Sequence, residues 1–237
     1  NKLRFVAGRL GLAGGERLLD AGCGWGSLTL FMAREYGVRA TGISPAPRQR
    51  EYIAARAAEL GLRDLVTTVT GHFELTGPEE VPPRAFDAVS MLGSIVHMPD
   101  LAAAFGRARA ALRRGGMLYV SESCFRNAAL YHAYNHRPGL EFVRRAVFGF
   151  GELRPLSDLV AGAEDAGFSV VAVDDLTAHY ARTIEDWLAG VRANRDLIES
   201  RVPGYAATLE RYLETANAGW GYTTKHYALT CKNSRKG

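Results

Sequence analysis

Gly22-Cys23-Gly24-Trp25-Gly26 follows directly on the apolar run Leu18-Leu19-Asp20-Ala21. Glycines at this spacing make a tight turn and let a ligand lie against the main chain. In open α/β sheets, ligands bind beyond the carboxyl ends of the strands. A strand, an acid (Asp20) and a G-x-G-x-G loop thus predict a ligand cradle. A dinucleotide-binding fold asks for a third glycine where Ser27 stands, and for an acid about 20 residues further on, where Ser44 closes the next apolar run. A phosphate loop needs G-K-[ST], which does not follow. The cradle is therefore of another kind.

Proton-handling groups come next. His97 follows the run Phe86–Leu92, and its neutral imidazole could take a proton near neutral pH; alternatively it hydrogen-bonds a carbonyl of its own loop. Glu122 closes the run that starts at Met117 and either faces a pocket or pairs with an arginine. His179 and Tyr180 lead out of a late strand, with Tyr180 a base, a pocket wall or a hydrogen-bond donor. His132 and His136 have helical i, i+4 spacing, but neither a third ligand nor H-E-x-x-H accompanies them, so no metal centre is expected. Cys23, Cys124 and Cys231 form no C-x-x-C, which fits a reducing cytoplasm rather than a disulfide framework.

The elements that must position these groups alternate. Helices are expected at Leu3–Leu12, Ser27–Tyr36, Pro45/Pro47 to Leu60 and Leu101–Leu112, and strands at Arg17–Ala21, Val38–Ile43, Leu65–Val69, Phe86–Leu92 and Met117–Ser121. This β-α repeat implies parallel strands with helices on both faces. A helix at Asp158–Ala166, a strand at Phe168–Val173, a long helical stretch from Thr183 to Ala218 broken near Pro203-Gly204, and a strand at Lys225–Cys231 follow. These late strands lack regular crossovers and predict a mixed sheet edge. The 237 residues, 47% hydrophobic and 23% charged, exclude collagen-like, extensively disordered and disulfide-miniprotein classes. The net charge of +4 is not concentrated, and the basic run from Lys232 to Lys236 reads as a solvated tail. No apolar run approaches the ~18 residues of a membrane span, and no signal peptide opens the chain.

On these residues the sequence resembles class I S-adenosylmethionine-dependent methyltransferases, and among them the cyclopropane-fatty-acid-synthase-like group. Leu19 to Gly26 is similar to that group's first motif, Thr41-Gly42-Ile43-Ser44 with Gln49 to its second-strand motif, and Ala178 to Thr183 with Trp187 to a segment near its C-terminus. The resemblance implies one Rossmann-like domain over 1–237. Its seven strands would be ordered 3-2-1-4-5-7-6, with strand seven antiparallel and helical lid segments at about 123–157 and 179–222. It implies methionine contacts at Gly22, Cys23 and Gly24 beside Asp20, ribose contacts at Ser44 and Gln49, adenine contacts at His72 and Phe73, and Gly93 beneath the sulfonium.

In cyclopropane synthases a bicarbonate serves as base, held in part by a Glu and a His; the matching positions here are Val96 and Ser121, while Tyr180 is kept. The N-terminal segment that adds a Cys to that site has no counterpart. Cyclopropanation is thus disfavoured, and methyl transfer yielding S-adenosylhomocysteine is expected, with His97, Glu122 and Tyr180 as catalytic candidates. Phe125, Tyr131, Tyr134, Phe142, Phe148 and Phe150 suit a small apolar or aromatic acceptor. The expected setting is cytoplasmic, in bacterial specialised metabolism. The loop Leu92-Gly93-Ser94-Ile95 lacks the [DN]-P-P-[YF] of base-amino methyltransferases, so no nucleic-acid partner is expected. Stable membrane insertion is not expected either, and homo-oligomerisation stays open. Lipid cyclopropanation and a non-methylating cyclisation on the same fold are the alternatives.

Overall fold

The computed structural model describes residues 1–147 and 149–234; Phe148 of the aromatic segment and Arg235 and Lys236 of the basic tail lie outside the described residues. The strands are β1 (Arg17–Ala21), β2 (Arg39–Ser44), β3 (Val66–Thr70), β4 (Phe86–Leu92), β5 (Leu112–Phe125), β6 (Ser169–Asp175) and β7 (Thr224–Lys232). They form one sheet in the order β3-β2-β1-β4-β5-β7-β6, as the resemblance implied. β1 pairs in parallel with β2 (Leu19 opposite Thr41) and with β4 (Asp20 opposite Ser90). The β2–β3 and β4–β5 pairs are parallel too. β7 reverses direction. Near the start of β5, the Asn233 N–H donates to Gly116 O (2.9 Å) and the Gly115 N–H to Asn233 O (2.7 Å), whereas past its end the Arg126 N–H donates to Thr223 O (2.9 Å).

Helices cover the parallel strands, and burial on both faces explains why β1 and β4 are nearly continuous apolar runs. Leu18, Leu19, Ala21, Ala88, Val89 and Met91 are all fully buried. The early helices are α1 (Lys2–Leu10), α2 (Ser27–Tyr36), α3 (Pro47–Glu59) and α4 (Leu101–Ala111). α3 opens on Pro47, whose missing N–H costs nothing there. α4 opens on Asp100, whose carboxylate accepts the Ala103 N–H at 3.0 Å. Later come α5 (Ala128–Tyr134), α6 (Pro138–Ala146), α7 (Leu156–Asp165), α8 (Thr177–Ala193), α9 (Arg195–Arg201) and α10 (Tyr205–Ala218).

Several boundaries differ from expectation. α1 stops at Gly11, before the Gly14-Gly15 pair. β5 begins five residues before Met117 and runs four past Ser121. Gly115 does not end an element; with φ of 79° it carries an irregularity, across which the partner of β4 jumps from Leu112 (opposite Phe86) to Met117 (opposite Ala88). α8 starts at Thr177 rather than Thr183, because Asp175 accepts the Thr177 N–H at 3.0 Å and turns the chain into the helix. His179 and Tyr180 therefore stand on a helix. α5 ends at Tyr134, so His132 and His136 do not share a helix face.

The chain divides into two compact units. The first comprises Asn1–Glu122, Val160–Val173 and the chain from Ala228 onward; the second comprises Ser123–Leu159 and Asp174–Tyr227. No helix among the described residues is long and apolar enough to cross a membrane.

Candidate active site

The glycine loop is built by constraints on both sides. Gly22 has φ of 80°, and a Cβ there would stand 2.4 Å from Ser94 Cβ. The N–H groups of Gly22 and Cys23 both donate to Ile43 O, at 3.0 and 2.9 Å, which joins the loop to the end of β2. Gly26 has φ of 78°, and its Cβ would meet Ile53 of α3 at 2.6 Å. Gly24 differs: a Cβ there would meet nothing within 4 Å. Packing thus dictates two of the glycines, while the middle one borders open space.

Asp20 was expected among the ligand contacts. It is 1% exposed, and its two carboxylate oxygens accept hydrogen bonds from Thr29 Oγ1 of α2 (2.8 Å) and Ser90 Oγ of β4 (2.9 Å). Burial pushes its carboxyl up, against the pull of the two hydroxyls. It ties three elements together beneath the loop rather than facing a ligand. Cys23 is likewise buried, and burial first, then the charge of Asp20, pushes its thiol up to about 12.

At the tip of β2, Ser44 Oγ donates to Gln49 Oε1 at 2.6 Å and accepts the Ala46 N–H at 3.1 Å. Residues five apart, one ending a strand and one in the first turn of α3, are thereby brought together. His72 is exposed at the start of a single 3-10 turn, Phe73–Leu75, whereas the Phe73 ring is buried. That ring packs inside the first unit.

After β4, Gly93 has φ of 70° and open space beside it, with its N–H held by Ser121 O at 2.8 Å. Ser94 is buried, and its Oγ donates to Ala21 O at 2.6 Å. His97 is half-buried and closes the turn Ile95–His97 through its N–H to Ser94 O (3.0 Å). Glu122 is buried inside β5; its Oε2 accepts the Val96 N–H at 3.4 Å and its charge acts on Lys2. Burial lowers the Lys2 ammonium, and Glu122 partly offsets that effect. The charge of Glu122 is thus felt by a lysine of α1.

Tyr180 belongs to the second unit. Its ring stacks on His226 (3.8 Å between centroids, 13° between planes) and more distantly on Trp220 (5.8 Å, 28°). Trp220 Nε1 donates to Thr177 O at 3.0 Å, and His226 Nδ1 lies 3.2 Å from Ser123 Oγ. The sequence reading missed His226, Ser94, Ser90 and Thr29. The three small hydroxyl residues carry no spacing signal. His226 sat inside an apolar alternation, where only its polar type could have marked it.

The family model described as mycolic acid cyclopropane synthetase matches residues 1–228. Sphingolipid C9-methyltransferase 1 of Gibberella zeae is 30% identical over 204 residues, covering 85% of this chain and 39% of that protein. The S-adenosylmethionine-dependent methyltransferase UmaA of Mycobacterium tuberculosis is 29% identical over 204 residues, covering 82% and 69%. The chain spans about two fifths of the length of the fungal sphingolipid methyltransferases it matches. The solved cyclopropane synthase MmaA2 from Mycobacterium tuberculosis superposes with a TM-score of 0.87 at 20% identity, over 98% of this chain and 82% of that one. The [4+2]-cyclase SpnF gives 0.83 at 24% identity, over 99% and 81%. These two likenesses establish a shared fold. With the family model matched over nearly its whole length and the same strand order in place, the chain belongs to the mycolic acid cyclopropane synthetase family of S-adenosylmethionine-dependent methyltransferases.

Proposed function

We propose that this chain binds S-adenosylmethionine at the glycine loop and transfers its methyl group to a small, largely apolar acceptor, releasing S-adenosylhomocysteine. One observation carries the reading: the open edge at Gly24 and the Ser44–Gln49 pair stand at the carboxyl ends of two adjacent parallel strands. The residues fit the group. Gly24 and Gly93 leave room where a side chain would intrude, and the Ser44 hydroxyl and Gln49 amide offer polar contacts of the kind a ribose takes. When bound, S-adenosylmethionine supplies a methyl group already activated on a sulfonium.

The chain's own part is alignment and exclusion of water. The main chain of Gly22 to Gly24 holds the methionine portion, with Asp20 fixing the loop from below. His72 and the backbone at Phe73 border the adenine, and Gly93 leaves the sulfonium end clear. An acceptor that loses a proton needs a base. His97 on the turn after β4 and Glu122 in β5 are the candidates within the glycine-loop unit, and Tyr180 is the third. An apolar or aromatic acceptor is supported by the aromatic content of the second unit, whose segments come from the stretches expected for the helical insertion. Bacterial specialised metabolism is kept as the setting.

A second reading, methylation of a lipid chain, is favoured by the family model and by the names of the sphingolipid methyltransferases. Val96 and Ser121 stand against cyclopropanation itself. Calorimetry with S-adenosylmethionine and S-adenosylhomocysteine, followed by mass spectrometry of a panel of apolar and lipid acceptors, tests both. Binding of both nucleosides and a gain of one methylene mass in an acceptor are expected. Absence of binding overturns the cofactor assignment, and binding with a rearranged product of unchanged mass overturns methyl transfer in favour of cyclisation.

A further inference from the structure

We propose that the end of the sheet opposite the glycine loop holds a second site, which binds a phosphate-type oxyanion. The glycine loop follows the carboxyl end of β1. β4 and β5 run parallel to β1, so their amino ends lie at the other end of the sheet. A cavity of about 490 Å³ opens there, within the first unit. Its walls include Arg84 just before β4, Arg109 and Ala110 in the last turn of α4, Arg114 at the start of β5, and Asn233 and Ser234 after β7. Among the described residues no carboxylate lines it.

A neighbouring arginine gives the contrast. Arg113, one residue from Arg114, pairs with Asp87. Among the described residues, Arg84, Arg109 and Arg114 have no ion-pair partner. Arg109 goes further: its Nε is buried and makes no hydrogen bond. Its guanidinium rests on Gly167, where a Cβ would come within 3.0 Å of Cζ. A buried N–H donor left unmatched is costly and is ordinarily satisfied. The carbonyls ending α4 favour a cation near Arg109, but they leave that nitrogen unsatisfied.

Arg84 adds an independent sign. It is the one non-glycine among the described residues with positive φ, at 55°, and its N–H is pinned to Ala110 O at 2.8 Å. A side chain kept in a backbone conformation that suits glycine carries a cost, and such strain clusters at binding sites. Asn233 is itself fixed, with its Nδ2 donating to the carbonyls of Leu112 and Arg113 at 3.2 and 3.1 Å. The ligand that three planar, permanently charged forks recognise is a multi-oxygen anion. A cavity of this volume admits a diphosphate or a phosphate ester. The chemistry is the same whether the phosphate belongs to a dissolved metabolite or to a lipid headgroup.

The test uses the full chain, with inorganic pyrophosphate followed by calorimetry and, separately, vesicles of phosphatidylglycerol or of phosphatidylcholine followed by sedimentation. Arg84→Gly and Arg109→Gln are compared with Arg113→Gln, and S-adenosylmethionine affinity is read in each. Arg84→Gly relieves the backbone and is expected to keep or raise the melting temperature, so a loss of binding there is not unfolding. The expectation is saturable binding that falls at least tenfold in Arg84→Gly and Arg109→Gln and persists in Arg113→Gln, with S-adenosylmethionine affinity unchanged. Pyrophosphate binding assigns a dissolved phosphate. Binding of the anionic vesicles alone, with the same response to the variants, assigns a headgroup. Binding of neither, or binding indifferent to Arg84 and Arg109, overturns the proposal.

Discussion

Ser94 occupies the space that a side chain on Gly22 would need: its Cβ lies 2.4 Å from where the Gly22 Cβ would stand, while its Oγ donates to Ala21 O at 2.6 Å. The end of β4 thus clamps the end of β1, and the glycine is demanded by sterics as well as by φ. Gly22→Ala is expected to lower S-adenosylmethionine affinity at least tenfold and to cost about 1–3 kcal/mol of stability. Adding Ser94→Gly should recover part of both losses, because the two positions are coupled. Calorimetry and urea unfolding read the cycle; strict additivity would show that the clash does not govern the site.

Asp20 is expected to matter for the scaffold first. Asp20→Asn keeps the size but replaces one of the two acceptor oxygens by a donor, facing either Thr29 or Ser90. A cost of about 1–3 kcal/mol is expected. Burial holds the carboxyl above its ordinary value, so the folded state takes up the proton more readily than the unfolded chain. Its contribution is therefore greatest at low pH and declines as pH rises through the carboxylate range. The deficit of Asp20→Asn should be larger at pH 4 than at pH 7 in urea unfolding. The opposite order would mean the carboxyl is not raised.

Asp175 has the reverse sign. Burial alone would raise it, but the Lys225 ammonium, 2.6 Å from Oδ2, and the Thr177 hydroxyl and N–H together hold it at about 2. A depressed carboxyl contributes stability above its unfolded value of 3.8, lost as pH falls through about 2. The pair is partly exposed, so solvent screens it and the effect is modest. Asp175→Asn should shift the urea midpoint downward at pH 6 and approach the parent protein near pH 2; an equal shift at both would rule out the pairing.

Cys23, Cys124 and Cys231 are buried, and burial pushes the thiols of Cys23 and Cys231 up to about 12. Thiolate is the reactive form. Folded protein at pH 8 is expected to react with a disulfide reagent at least a hundredfold more slowly than a free thiol, with all three titrating in urea. Fast reaction at Cys23 in the folded state would contradict its burial.

His97 and Tyr180 separate by variant kinetics once an acceptor is known. If the proton passes through His97, His97→Gln should lower kcat by about a hundredfold, with KM for S-adenosylmethionine unchanged. Tyr180→Phe keeps the stack on His226 and should leave the melting temperature nearly unchanged. A drop in kcat there would assign the role to the phenol instead.

The glycine loop was legible because its requirement is a backbone one, and only glycine meets it. The parallel core was legible because strands buried on both faces must be apolar throughout. Other features were hidden by ambiguity of type. The fifth strand was expected from Met117, after Gly115-Gly116, yet β5 passes through both glycines, since a glycine serves a bulge as well as a break. The start of α8 was misplaced because its signal is a side chain, Asp175, in the preceding strand. Asp20 announced itself as an acid beside a ligand loop, and the sequence held no sign that Thr29 and Ser90, 9 and 70 residues away, take both of its oxygens. Small hydroxyls leave no periodicity.

β7 is inserted between β5 and β6. As the chain leaves the ribosome, β6 is made about 50 residues before the strand that joins it to the sheet. Until Thr224–Lys232 emerges, β5 and β6 each present an unpaired edge, and such edges invite pairing with other chains. Of the seven strands of this sheet, the last in chain order is the one that joins β6 to the rest. The nascent sheet therefore depends on β7 to protect strands made well before it.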